Sequence, residues 1–220
     1  FDSLRKLGGI SGFPKTSESK YDSFDTGHSS TSMSAALGIA AANDLNHKKG
    51  EVVAVIGDAS FMGGPALEAL NHIIQTNKKV IIVLNDNQMS IGRAIGGFAR
   101  YFNRIHTRSS YYTFKRETRE ILEKVPLIGK PFTRLIRDFK AGVKFFISPG
   151  VVFEKLGYKY LGPIDGHDIK MLCDAFEEAK TVDRPVIVHV TTVKGKGYPP
   201  AELNPSKYHA VSCSNSEAET

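Results

Sequence analysis

Two stretches decide the architecture: Glu51-Val52-Val53-Ala54-Val55-Ile56-Gly57-Asp58-Ala59-Ser60 and Lys79-Val80-Ile81-Ile82-Val83-Leu84-Asn85-Asp86-Asn87-Gln88-Met89. Each is a short, unbroken apolar run that ends in a polar, turn-forming cluster. Runs of this length without alternation mark strands buried on both faces, as in parallel sheets. Between them, residues 65–76 (PALEALNHIIQT) place a proline at a suitable first helical position and repeat apolar residues at helical spacing. Strand, crossover helix and strand form a βαβ unit, which predicts a parallel sheet with a right-handed connection.

Working outward, residues 31–43 (TSMSAALGIAAAN) are Ala-rich, and a Ser/Thr cluster suited to N-capping leads into them. Residues 158–162 read as a short strand, 168–180 as a helix with Asp168 near its start, and 185–190 as another buried strand. Residues 1–27 read as loop, and 212–220 as a flexible tail. The fold class is therefore α/β, a parallel sheet flanked by helices, with one mostly helical insertion at about 98–150. One domain over 1–211 accounts for the rest.

The chain has 220 residues, 41% hydrophobic and 24% charged, a balance that excludes general disorder and allows a substantial core. No apolar run approaches the roughly 20 residues needed to span a bilayer. The start, Phe1-Asp2-Ser3-Leu4-Arg5-Lys6, is no signal peptide and lacks an initiator Met, so either processing or a piece of something longer is expected. Cys173 and Cys213 offer neither a disulfide framework nor metal spacing, which points to a reducing, cytoplasmic setting. The net charge of +6 is concentrated: residues 100–144 hold 12 Lys/Arg against 4 Asp/Glu, and the remainder 17 against 19. Aromatic residues recur through that segment at helical spacing, so a solvated basic helical face is the better reading and nucleic acid is not expected as a partner.

Chemistry belongs at the carboxyl ends of the strands, where open α/β sheets bind their ligands. Two parallel strands deliver Gly57-Asp58-Ala59-Ser60 and Asn85-Asp86-Asn87-Gln88-Met89 to one edge. Asp58 and Asn87 offer a carboxylate and an amide oxygen, hard donors suited to a Mg²⁺ ion that keeps phosphate oxygens in its shell. From spacing alone, Asp58 as a loop cap and Asn87 as an ordinary turn residue remain an equal alternative. His47, His106 and His189 carry no supporting context, and His72 sits mid-helix. His167, in Asp165-Gly166-His167-Asp168, reads as a loop-fixing residue.

The pair Gly57-Asp58 and Leu84-Asn85-Asp86-Asn87 resembles the signature of thiamine-diphosphate enzymes. Further stretches narrow the resemblance: Tyr21-Asp22-Ser23-Phe24-Asp25-Thr26-Gly27-His28-Ser29-Ser30-Thr31-Ser32, Glu68-Ala69-Leu70-Asn71-His72, Leu161-Gly162-Pro163-Ile164-Asp165-Gly166-His167-Asp168 and Lys194-Gly195-Lys196-Gly197-Tyr198-Pro199-Pro200-Ala201-Glu202. Together they resemble the 1-deoxy-D-xylulose-5-phosphate synthase family over residues 7–211. The resemblance implies the diphosphate-binding domain of a thiamine-diphosphate fold. It also implies condensation of pyruvate with D-glyceraldehyde 3-phosphate, with decarboxylation, feeding isoprenoid and thiamine synthesis.

Residue by residue, the resemblance makes Asp58, Asn87 and the Met89 carbonyl ligands of Mg²⁺. Ala59 and Ser60 match residues along the diphosphate, while Gly27, His28, Ser29 and Tyr198 match cofactor contacts. His209 matches a histidine beside the substrate, and Lys194 or Lys196 matches a position that can face phosphate. Departures from the family pattern are Ala59 for glycine, Gln88 for glutamate, and the Gly92-Arg93-Ala94-Ile95-Gly96-Gly97 loop. The family's upstream cofactor histidine and its activating glutamate have no counterpart here. A chain inactive alone is therefore expected, completed by pyrimidine-binding and C-terminal domains in a homodimer. It should also expose an apolar face where those domains dock. The alternatives are a subunit of a split transketolase and a non-catalytic cofactor-binding module.

Overall fold

The computed structural model describes residues 2–89, 96, 97, 100 and 150–209. Apart from Arg100 and Gly150, the expected basic insertion lies outside the described residues, as do Arg93, Cys213 and the tail at 212–220.

Four strands, β1 (Val53–Gly57), β2 (Ile81–Asp86), β3 (Lys159–Asp165) and β4 (Val186–Thr191), form one sheet in the order β1-β2-β4-β3. Every pairing is parallel. Gly57 lies opposite Asn85, Asp86 opposite Thr191, and Thr191 opposite Asp165, so the four carboxyl ends share one edge. The expected α/β parallel sheet is the observed fold.

Helices α1 (Ser32–Leu45) and α3 (Gly64–Thr76) pack against one face, with the short α2 (Asp58–Phe61) and α4 (Val151–Leu156) filling in. Met33, Leu37, Leu70 and Ile73 meet Ile56, Ile82, Leu84 and Ile187 across that layer. Each such side chain fully buried contributes about 1.5–3 kcal/mol of transfer free energy. Tyr158 is buried there too and donates its hydroxyl to the Leu70 carbonyl at 2.6 Å, and burial pushes its pKa well above the ordinary tyrosine value. On the opposite face α5 (Ile169–Lys180) covers Ile81, Val83, Val186, Val188 and Leu161. A last short helix, α6 (Pro199–Leu203), follows β4.

Helix ends follow local chemistry. Asp168 caps α5, its carboxylate accepting the Met171 N–H at 3.0 Å. Asn77 ends α3 in the left-handed region, φ 50°. The Ser/Thr cluster before α1 behaves differently from expectation: Thr31 makes no side-chain cap and donates instead to the His28 carbonyl at 3.2 Å.

One strand corrects the sequence reading. Among the described residues β1 is an edge strand buried on one face only, with Val53 48% and Val55 64% exposed. Its apolar run looked like two-sided burial, but α5 reaches β3, β4 and β2 and leaves the second face of β1 open among the described residues. No helix among the described residues is long and apolar enough to cross a membrane.

Candidate functional site

The turn after β1 and the turn after β2 meet at the sheet edge. Asp58 opens α2 and is 3% exposed; its Oδ1 accepts the Ala59 N–H at 2.8 Å. Asp86 ends β2 with no exposed surface, and its carboxylate lies against that of Asp58. Burial, the largest effect, raises the Asp58 pKa above the ordinary aspartate value. The charge and hydrogen bond of Asp86 push it further up, while the Ala59 and Gln88 N–H groups pull it down.

The β2 turn is wound by its own side chains. Asp86 Oδ1 accepts the Gln88 N–H at 3.1 Å, and Asn87 Oδ1 accepts the Met89 N–H at 3.0 Å. Gln88 thereby adopts φ 60°, a left-handed conformation uncommon outside glycine. The Asn87 oxygen keeps a second lone pair for a ligand. Ala59 is helical and absent from the positive-φ positions, so alanine in place of glycine there brings no backbone strain.

A third segment joins this group. Thr26 Oγ1 accepts the His28 N–H at 3.1 Å, folding Gly27, His28 and Ser29 into a tight turn. Next to it Ser30 donates to the Ser60 carbonyl at 2.7 Å and fastens that turn to α2. Gly27 packs on Phe13 closely enough that an added Cβ would stand 3.1 Å from its ring.

The remaining sequence candidates form a second group. Tyr198, at the start of α6, meets Tyr208 edge-on with ring centroids 5.6 Å apart. Lys194 Nζ lies 2.8 Å from His209 Nδ1; an ammonium can only donate, so the ring proton sits on Nε2. Lys194 is half-buried and Lys196 exposed. These residues make their described contacts with one another, not with Asp58 or Asn87. His72 is exposed on α3.

Two donors the sequence reading did not select stand behind the site. His189, in β4, has no exposed surface; its Nε2 lies 3.0 Å from Asp86 Oδ2, and its Nδ1 lies 2.6 Å from the Tyr160 hydroxyl. The signal was present: a histidine inside Val186-Ile187-Val188-His189-Val190 must find a buried partner or be penalised.

The donor set suits Mg²⁺. Two desolvated carboxylates in contact repel one another, and a cation relieves that repulsion. No three His, Cys, Asp or Glu side chains converge as a metal group among the described residues. An ion held by one or two carboxylates, with phosphate oxygens and water in its shell, would need no such group.

Comparison with known proteins bears on the whole chain. The model of the 1-deoxy-D-xylulose-5-phosphate synthase family matches residues 1–192. A protein named 1-deoxy-D-xylulose-5-phosphate synthase from Clostridium kluyveri is 53% identical over 99% of this chain and 35% of its own length. Its namesake from Clostridium tetani is 51% identical over 96% of this chain and 34% of its own length. The chain thus spans about a third of the curated relatives it matches. Among solved structures, a transketolase from Campylobacter jejuni aligns over 76% of this chain and 20% of its own, at 16% identity and a TM-score of 0.44. With a family model matched over most of its length and relatives half identical over nearly all of it, the chain belongs to the 1-deoxy-D-xylulose-5-phosphate synthase family.

Proposed function

We propose that this chain forms the metal–diphosphate half of a thiamine diphosphate site in an enzyme that condenses pyruvate with D-glyceraldehyde 3-phosphate, with decarboxylation, to 1-deoxy-D-xylulose 5-phosphate. The observation that carries the reading is the buried Asp58 carboxylate held against Asp86, one residue from Asn87, at the carboxyl edge of a parallel sheet. The reaction itself is taken from the relatives' name.

In this reading Asp58, Asn87 and the Met89 carbonyl would hold Mg²⁺, which would supply positive charge to the cofactor's diphosphate. Ala59 and Ser60 lie along the phosphates, with Gly27, His28 and Ser29 beside them through the Ser30–Ser60 tie. Tyr198 contacts the cofactor. His209, its tautomer set by Lys194, offers Nε2–H to the substrate. Thiamine diphosphate, when bound, supplies the chemistry that decarboxylates pyruvate. The chain's own residues bind and orient it, and the group that activates its pyrimidine ring comes from the remainder of the enzyme. By itself the chain is inactive; the whole enzyme works as a homodimer in the cytoplasm.

The test is turnover by the protein at the length its gene encodes, supplied with Mg²⁺ and thiamine diphosphate. Pyruvate consumption that depends on glyceraldehyde 3-phosphate supports the reading. A folded, cofactor-loaded protein without turnover overturns it, and product from residues 1–220 alone overturns the half-site.

A further inference from the structure

The geometry points to Tyr160 and His189 as positioning residues that hold Asp86, and through it the Asp58–Asn87 metal turn, in place for the Mg²⁺–diphosphate. This rests on the metal–diphosphate reading above and adds to it a support that no comparison assigns. Asp86, a carboxylate, can only accept, so His189 Nε2 carries the proton across the 3.0 Å contact. The Nδ1 of a neutral ring then accepts, and the Tyr160 hydroxyl donates to it over 2.6 Å. The result is a directed chain from Tyr160 to His189 to Asp86. It leaves Asp86 Oδ1 to take the Gln88 N–H and wind the turn that presents Asn87 and Met89.

Packing fixes the far end of this chain. The Tyr160 ring is stacked on Phe153, centroids 6.0 Å apart and 8° from parallel, and it meets His189 edge-on at 5.9 Å. Phe153 meets Phe61 edge-on at 5.8 Å, and Phe61 is the last residue of α2, the helix that Asp58 begins. Starting from Asp58, one can therefore pass through α2, Phe61, Phe153, Tyr160, His189 and Asp86 and arrive back at Asp58. Both carboxylates lie on one closed circuit of contacts. Gly150 closes on the Tyr160 ring, and Gly162 abuts His189, an added Cβ there standing 2.5 Å from the His189 carbonyl oxygen. Groups behind a metal site that orient its ligands typically change metal affinity about 10–100-fold when removed.

The experiment measures the Mg²⁺ concentration that half-saturates thiamine diphosphate binding, by calorimetry, on the protein as its gene encodes it. His189→Leu should raise that concentration about 10–100-fold, and Tyr160→Phe about 3–10-fold with its ring packing kept. His189→Gln, whose amide N–H reaches toward Asp86 as Nε2–H does, should stay within about threefold of wild type. Equal Mg²⁺ requirements for wild type, Tyr160→Phe and His189→Leu overturn the proposal. So does an equal loss in His189→Gln and His189→Leu, because a merely space-filling role gives no rescue. Should His189→Leu fail to fold, Tyr160→Phe decides alone, and an unchanged Mg²⁺ requirement rejects the idea. Wild type that binds no cofactor at any Mg²⁺ concentration instead overturns the metal–diphosphate reading itself.

Discussion

Asp165, Gly166, His167 and Asp168 stand at the carboxyl end of β3; Gly57, Asp58 and Asn85 to Met89 stand at the carboxyl ends of β1 and β2. Both groups sit on the same edge of the sheet and draw on the same residue types. In the first, each polar side chain serves the local backbone. Asp165 accepts the His167 N–H at 2.9 Å, His167 Nε2 accepts the Val193 N–H at 2.9 Å, and Asp168 caps α5. In the second, two buried carboxylates are pressed together. Both loops pair their acids with N–H donors, but only the second also buries two carboxylates close together, an arrangement that a bound cation would relieve.

Substitution at Asp58 tests this contrast most severely. Asp58→Ala should abolish Mg²⁺-dependent thiamine diphosphate binding, a loss of at least about 100-fold in calorimetry. Asp165→Ala should leave that affinity within about twofold. Loss of binding in both variants would erase the distinction between the two loops, and unchanged affinity in Asp58→Ala would remove the metal assignment.

The next effect is on stability. Gly162 has φ +138° and sits where β3 shifts register between Leu161 and Ile164, with the His189 backbone directly against it. Gly162→Ala should destabilise by about 2–4 kcal/mol, since neither the backbone angle nor the space admits a methyl group. Chemical denaturation reads this directly; a cost below about 1 kcal/mol would show that the bulge relaxes easily. The loop-closing residues carry less. Asp168→Ala should cost about 1 kcal/mol through loss of the α5 cap, with metal affinity unaffected.

How far the sequence could be read follows the same division. Apolar runs located every described strand, and helix propensity together with apolar spacing located the three longer helices, because composition and burial both leave a pattern in the chain. The reading stopped β3 near Gly162-Pro163, where turn chemistry normally ends a strand, yet β3 runs on to Asp165 through a register shift. One-sided burial of β1 was hidden because Val53 and Val55 are apolar although open. Asp58 and Asn87 were accessible through the motif. Tyr160 and His189 were not, because their meaning lies in a contact between residues 29 positions apart on different strands. A buried histidine announces that it needs a partner without saying which one.

The smallest effect is also the one that best separates function from stability. In the metal-free protein the folded-state pKa of Asp58 lies above its unfolded value, mainly because burial disfavours the charged form. Such a group contributes its stability below the unfolded pKa and loses it as pH rises through the folded pKa. Asp58→Asn is neutral throughout and nearly the same shape. Without metal it should therefore match wild type in acid and be more stable than wild type at neutral pH, seen as a higher Tm. With Mg²⁺ and thiamine diphosphate at about 100 times Kd the order should reverse, because wild type alone gains about 2.7 kcal/mol from binding. Thermal melts at two pH values, with and without ligand, check all four corners. If Asp58→Asn were less stable than metal-free wild type at neutral pH, the carboxylate would be a structural anchor like Asp165, and the two loops would differ in sequence but not in purpose.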